Sequence, residues 1–362
     1  MFTIAATNSM RKQLSIAVIQ LNAHHGTDIQ NTIRRADNLV SELIAKCHSR
    51  AAMESLKPHS SSAEQTAVLD EKVDSYGPVS RQRDKYFPDI LILPELAFTG
   101  YAYPSKSAIS SVLEPTAGGP STRWCQKTAK LLGCHVIIGY PELAVTKSTV
   151  ERQDSQELAD IYNAAVVVDP SGKTVFNYRK HFLYEADKKW GAVPGPDGFG
   201  YLELQLGQFE SDKIKVGLGI CMDLNPREFE APFMAYEFAR FCVDREVDLI
   251  LMPMAWLASD SDSASDNPTN NDPEADIPEF DTVRYWATRL TPIMEQYMTS
   301  NLEKQKATST AFIACNRCGV EDGHIVYAGS SCGLLFKEDG SAQLIDCMGK
   351  RNEGVKIFTF SL

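Results

Sequence analysis

A chain of 362 residues with 43% hydrophobic side chains can bury a large core, as one big α/β domain or two smaller ones. Its net charge of −11 and pI near 5.2 imply no basic surface, which argues against a phosphate-backbone partner and so against nucleic acid. No apolar run approaches the ~20 residues of a membrane span, and nine cysteines at irregular spacings do not form a disulfide framework, so a reducing compartment is expected.

Met1 to Ser15 holds Arg11, Lys12, several Ser and Thr and no acid, weakly like a transit peptide. A strand begins by Leu14, however, which leaves little room for a long amphipathic helix. A cytoplasmic location is expected, with a mitochondrial one the lesser alternative. That strand, Leu14 to Asn22, is followed from about Asp28 by a helix whose Ile29, Ile33, Ala36, Val40 and Leu43 step by three and four. Residues 47–87 are polar and Ser-rich and read as a surface insertion. Asp89 to Leu93 (D-I-L-I-L) is a short apolar strand of a covered sheet and runs into Pro94-Glu95. A helix over Ser121 to Leu132 ends at Gly133, a C′ residue. The strand Cys134 to Tyr140 is expected to close at Pro141-Glu142. Tyr162 to Val168 and Lys173 to Tyr178 form a hairpin around Asp169-Pro170-Ser171-Gly172, and Leu202 to Leu206 and Lys213 to Ile220 are further strands.

Val216 to Pro226 (V-G-L-G-I-C-M-D-L-N-P) changes character abruptly: an apolar run stops at Cys221 and a polar turn follows. Pro232 is expected in the first turn of a helix reaching about Cys242, and Asp248 to Met252 is a strand. Ala258 to Val283 then carries Asp260, Asp262, Asp266, Asp272, Glu274, Asp276, Glu279 and Asp281 with no Lys or Arg, the pattern of a solvated loop. Arg284 to Lys306 reads as helix, and the C-terminal part alternates strands with turns. Strands alternating with helices indicate an α/β layered fold.

Alone, Cys221 is as well explained as a small core residue. A thiol of pKa ~8.5 needs a base or a nearby positive charge to act as a nucleophile. Glu95 follows a fully apolar strand, where a dry environment would raise its pKa toward working range. Lys180, in F-N-Y-R-K-H-F-L-Y, also ends a strand, and its ammonium would favour thiolate and stabilise an oxyanion. Together the three supply base, electrophilic helper and nucleophile for acyl transfer.

P-E-L-A-F-T-G-Y at 94–101, Y-R-K-H at 178–181 and G-L-G-I-C-M-D at 217–223 resemble, in order, the signatures of the nitrilase (carbon–nitrogen hydrolase) superfamily. G-Y-P-E at 139–142, Y-N-A-A-V-V-V-D-P-S-G at 162–172 and N-R-C-G at 316–319 extend the likeness. The resemblance implies one α-β-β-α four-layer sandwich domain over 1–362, with insertions at about 47–87 and 258–306. It implies a catalytic triad of Cys221 as nucleophile, Glu95 as general base and Lys180 as stabiliser of the tetrahedral intermediate, with the Met222 N–H as a second oxyanion donor. Glu185 is the candidate for a further, substrate-positioning glutamate, and Glu142 for a buried carboxylate orienting Lys180. Within the superfamily, I-C-M-D-L-N-P, Y-R-K-H-F-L-Y and the long late insertion are most similar to the fungal-type branch acting on protein N-termini. That implies deamidation of N-terminal Asn, or Gln, to Asp or Glu with loss of ammonia, as in an N-degron pathway. Asp187, Asp223 and the 260–281 acids are then candidates to meet the substrate α-ammonium.

No cofactor or metal is implied: Cys315-x-x-Cys318 has no second pair, and His24-His25 reads as a loop pair. The alternatives are a superfamily amidase or nitrilase acting on a free small molecule, and a non-catalytic module binding protein N-termini. Oligomeric state stays open.

Overall fold

A computed structural model of the chain describes residues 13–22, 28–55, 86–146, 158–207, 213–259, 275–299 and 309–362. Its first half builds strands β1 (Gln13–Gln20), β2 (Ile90–Ile92), β3 (Glu114–Pro115), β4 (His135–Thr146), β5 (Leu158–Val168) and β6 (Thr174–Arg179). Between them run helices α1 (Ile29–Ser55), α2 (Lys106–Ile109) and α3 (Pro120–Leu132). The second half adds α4 (Glu185–Lys189), α5 (Glu237–Asp244), α6 (Phe280–Arg289) and α7 (Thr291–Thr299). Its strands are β7 (Gly200–Gln205), β8 (Lys213–Leu218), β9 (Leu249–Met254), β10 (Ser309–Asn316), β11 (Val320–Glu321), β12 (Ile325–Val326), β13 (Cys332–Lys337), β14 (Ala342–Cys347) and β15 (Gly354–Ser361).

Two mixed sheets form. One runs β15-β1-β2-β4-β5-β6, with β3 beside β4; the other runs β14-β13-β10-β9-β8-β7. Leu14, Ile16, Val18, Ile90 and Ile137 of the first sheet pack against Val216, Leu218, Leu251 and Phe312 of the second in one buried cluster. The alternate residues Ala17, Ile19 and Leu91 point the other way, onto Ala36, Val40 and Leu43 of α1 and Cys125 and Ala129 of α3. This is the period-two alternation of strands meeting the three-and-four spacing of helices. Phe238 and Ala239 of α5, Trp286 of α6 and Ile293 of α7 join the cluster of the second sheet. The result is the expected α-β-β-α layering.

Several expectations are corrected in detail. Helix α1 continues through Cys47, which is fully buried, so the polar stretch begins later; residues 56–85 lie outside the described residues. Strand β4 does not close at Pro141-Glu142 but runs through them, paired with β5 from Val136 to Thr146. The helix expected at Pro232 begins at Glu237, because Tyr236 takes a left-handed φ of 48° after a short turn at Phe233–Ala235. The expected helix at 284–306 is two helices, α6 and α7, starting earlier, at Phe280. Gly133 does cap α3 with φ 66°, its N–H bonded to the Ala129 carbonyl at 2.8 Å.

The sheets are also joined by hydrogen bonds. The Cys315 thiol of β10 donates to the Ile19 and Ile92 carbonyls, each at 3.4 Å, so this cysteine sits in the core as a tie between layers. No described helix is long and apolar enough to cross a membrane.

Candidate active site

Glu95 leaves β2 through a turn in which Leu96 holds φ 43°. The backbone of β4 presses on that turn: the Gly139 N–H donates to the Pro94 carbonyl and the Ala97 N–H to the Gly139 carbonyl. A Cβ on Gly139 would come within 2.6 Å of the Glu95 Cα, so only glycine permits this approach. From the opposite side the buried Arg317 guanidinium donates to the Glu95 and Leu96 carbonyls at 3.1 and 2.7 Å. Glu321 accepts the Tyr101 and Ala102 N–H groups of the same loop. The backbone around Glu95 is therefore fixed independently of its side-chain bonds.

Lys180 follows β6, its N–H bonded to the Asn163 carbonyl of β5 at 2.8 Å. Its ammonium lies 2.6 Å from Glu95 Oε1 and 2.7 Å from Asp187 Oδ2. The Asn163 amide donates to Glu95 Oε1 at 2.6 Å and to Asp187 Oδ1 at 2.8 Å. Asp187 is further held by the Tyr184 N–H at the start of α4. All four side chains are fully buried. Two of the three ammonium protons of Lys180 are taken, which leaves one donor over. Glu95 Oε2 has no protein partner among the described residues.

Cys221 follows β8 and opens a single 3₁₀ turn, Cys221–Leu224, with a left-handed φ of 42°. Strain of this kind is held only where surrounding bonds over-determine it. Asp223 does so: it accepts the Ile220 N–H and the Tyr178 hydroxyl, each at 2.7 Å, and the His181 and Phe182 N–H groups at 3.2 and 2.7 Å. One carboxylate thus ties the cysteine turn to the segment that follows Lys180.

Burial pushes the Glu95 carboxyl up; the Lys180 ammonium opposes this, the Asp187 charge adds to it, and the net shift is upward. Burial works against the Lys180 ammonium, but Asp187 and Glu95 outweigh it and keep the group charged. The Cys221 thiol is raised well above its ordinary value by burial and by Glu95, with Lys180 and the Ala255 N–H pulling the other way. The net effect of these surroundings favours the neutral thiol, with Lys180 opposing it.

Cys221 and Met222 form the floor of a cavity of about 460 Å³. Aromatic side chains of Tyr184, Phe229, Trp256 and Tyr285 wall it, with Ser259, Asp281 and Thr282 as polar lining. No described hydrogen bond uses the Met222 N–H as donor. The described residues contain no cluster of three or more His, Cys, Asp or Glu suited to a metal ion.

Lys180 and Glu95 are in direct contact, and both act electrostatically on the Cys221 thiol. The supporting residues differ from expectation. Glu185 is exposed on α4, and Asp187, two residues on, is the carboxylate that reaches Lys180. Glu142 does not orient Lys180: it accepts from Arg179, Asn177 and Thr116 on the other face of the sheet. Asp187 and Asp223, fully buried and multiply bonded, are not placed to meet an α-ammonium. Asp260, Asp262, Asp266, Asp272, Glu274, His24 and His25 lie outside the described residues. Asn163 and Arg317 went unassigned, although a lone amide inside Y-N-A-A-V-V-V and a cation inside N-R-C-G were visible signals.

A carbon-nitrogen hydrolase family model matches residues 15–290. The chain belongs to the carbon-nitrogen hydrolase family. This member is 30% identical over 282 residues to a protein N-terminal amidase of Schizosaccharomyces pombe, a match covering 74% of this chain and 85% of that one. It is 39% identical over 184 residues to a protein N-terminal amidase of Saccharomyces cerevisiae, covering 48% of this chain but only 38% of the relative's length. In fold, the hydrolase is similar to a crystal structure of an N-terminal amidase solved with an Asn-Glu-Ala peptide, with a TM-score of 0.68 and 23% identity over 96% of this chain and 98% of that one.

Proposed function

We propose that this carbon-nitrogen hydrolase deamidates N-terminal Asn, and Gln, of peptides or proteins to Asp and Glu with release of ammonia. The observation that carries the reading is the fully buried Glu95–Lys180–Asp187–Asn163 cluster beside a strained cysteine that opens into an aromatic-walled cavity. The names of the amidase relatives support the substrate class.

In this reading Glu95 Oε2 takes the Cys221 proton as sulfur attacks the side-chain carboxamide carbon. The oxyanion is met by the remaining Lys180 donor and the Met222 N–H. Glu95 returns the proton to the departing nitrogen, which leaves as ammonia, and a thioester remains. Glu95 then deprotonates a water, which adds to the thioester carbon and expels the Cys221 sulfur to give the acid, and Glu95 hands that proton to the sulfur to restore the thiol. A carboxylate that is base, acid and base again works best with a pKa near operating pH, and the upward shift of Glu95 is in that direction. Asp281 is the one described acid lining the cavity, and we assign it the substrate α-ammonium. A single domain over 1–362 acting in a cytoplasmic N-degron pathway completes the proposal.

The test is ammonia release from a peptide panel differing only in the first residue, with N-acetylated copies. Turnover confined to free Asn and Gln peptides is expected; equal turnover of blocked peptides or simple amides would favour a small-molecule amidase. Cys221→Ala should lose all turnover while its stability stays within about 1 kcal/mol of the parent.

A further inference from the structure

The β13–β14 hairpin sets two thiols side by side at some distance in sequence from the catalytic cysteine. Cys332 and Cys347 are direct partners in the antiparallel register. The Met348 N–H donates to the Ser331 carbonyl at 2.9 Å, one residue outside the pair, while the Cys347 N–H turns to its neighbour Asp346 Oδ1. That pattern marks a non-hydrogen-bonded pair, in which Cα atoms lie ~4.5 Å apart and side chains come closest. Disulfides close over Cα separations of ~4.4–6.8 Å. Both side chains belong to the core face, Cys332 inside the central cluster and Cys347 packed on its edge. Cys332 is fully buried and Cys347 partly exposed, so a small oxidant meets Cys347 first.

The surroundings connect this pair to the cavity. The Cys347 thiol shares its one proton between the Ser330 carbonyl at 3.3 Å and the Met348 carbonyl at 3.4 Å. Ser330 itself has φ 57°, and its hydroxyl oxygen accepts the Glu279 N–H at 2.8 Å. Glu279 immediately precedes α6, whose Asp281, Thr282 and Tyr285 line the cavity. The Lys350 and Arg351 N–H groups donate to the Ile277 and Ala275 carbonyls, so the strand carrying Cys347 leads directly into the segment on which 275–279 is hung.

We propose that Cys332 and Cys347 form a reversible disulfide, and that closing it loosens the 275–289 wall of the cavity. The oxidant is a low-molecular-weight disulfide. The Cys347 thiolate attacks one of its sulfurs and expels one thiol; the Cys332 thiolate then attacks the Cys347 sulfur and expels the second. The protein gives up two electrons and two protons, the oxidant's S–S bond becomes two S–H bonds, and one protein S–S bond is made. The neighbouring Cys347 thiol and burial hold the Cys332 thiol well up, which makes the second step the slow one. Closure removes the Cys347 donor from the Ser330 carbonyl.

The full chain, reduced and then incubated with oxidised glutathione, is alkylated and mapped by peptide mass. The expected product is a Cys332–Cys347 linked peptide, reopened by dithiothreitol and absent from Cys347→Ser, whose hydroxyl keeps a donor at Ser330. On the same samples amide hydrogen exchange across 275–289 should quicken by at least about fivefold, the lower end of coupling between sites. A stable glutathione adduct on Cys347 with Cys332 still alkylated would overturn the pairing. A mapped disulfide with unchanged exchange would overturn its reach to the cavity wall. Neither readout depends on turnover, so the inference stands or falls apart from the amidase assignment.

Discussion

Asp187 and Glu95 share one lysine, and that sharing governs how the base titrates. Two buried carboxylates face a single ammonium, so the Asp187 charge raises the Glu95 pKa that Lys180 lowers. In the proposed mechanism Glu95 acts deprotonated, so kcat/KM should be full above its raised pKa and fall as pH drops through it. Asp187→Asn removes a raising charge, so the acid limb of the profile should move to lower pH. Because Lys180 also loses one anchor, kcat should fall about tenfold, a change of ~1.4 kcal/mol. A limb that stays put or moves to higher pH would sink this account of the pair. At the cavity mouth, Asp281 is mostly exposed and already pairs with Arg284 at 2.7 Å. The proposed contact with an α-ammonium would be a surface ion pair of ~0.2–1 kcal/mol, so Asp281→Asn should raise KM about two- to fivefold with kcat unchanged. Steady-state kinetics on Asn peptides decides it, and an unchanged KM would remove the assignment.

Between elements, the close approach of β4 to the turn after β2 is what aims Glu95. Gly139 is the contact point, and its hypothetical Cβ meets Glu95 Cα, Leu96 N and Pro94 O, all backbone atoms that cannot swing aside. Gly139→Ala should cost ~1–3 kcal/mol by overpacking and lower kcat about a hundredfold by shifting the carboxylate ~1 Å. Thermal melts and kinetics together test this, since a stability loss without a kcat loss would mean the turn absorbs the strain elsewhere. The cysteine turn is braced comparably, but by side chain: the four bonds to Asp223 hold the positive φ of Cys221 and fix the segment after Lys180. Cys221 and Lys180 are thus registered to each other through one buried carboxylate.

At the scale of the molecule, the facing sheets share one buried cluster, and the site lies where β2, β6 and β8 end at its edge. Phe312 in β10 is flanked by β9 and β13 and fully buried in that cluster. Phe312→Ala should cost ~3–5 kcal/mol, read by denaturant unfolding. A much smaller loss would mean the layers repack around the gap.

What the amino-acid order determined is local. Alternation and three-and-four spacing marked the strands and helices, and the abrupt ends of apolar runs marked Glu95, Lys180 and Cys221. Partner choice was decided only by the tertiary structure. Arg179 ends β6 and Lys180 follows it, still bonded to β5 through the Asn163 carbonyl, so their side chains leave opposite faces. Arg179 meets Glu142 and the Tyr162 ring on the outer face; Lys180 meets Asn163, Asp187 and Glu95 toward the site. Nothing in the spacing of Glu142, Glu185 and Asp187 tells which carboxylate shares a face with the lysine. That depends on the register of β4, β5 and β6 and on the turn of α4, which the chain acquires only when the sheet closes.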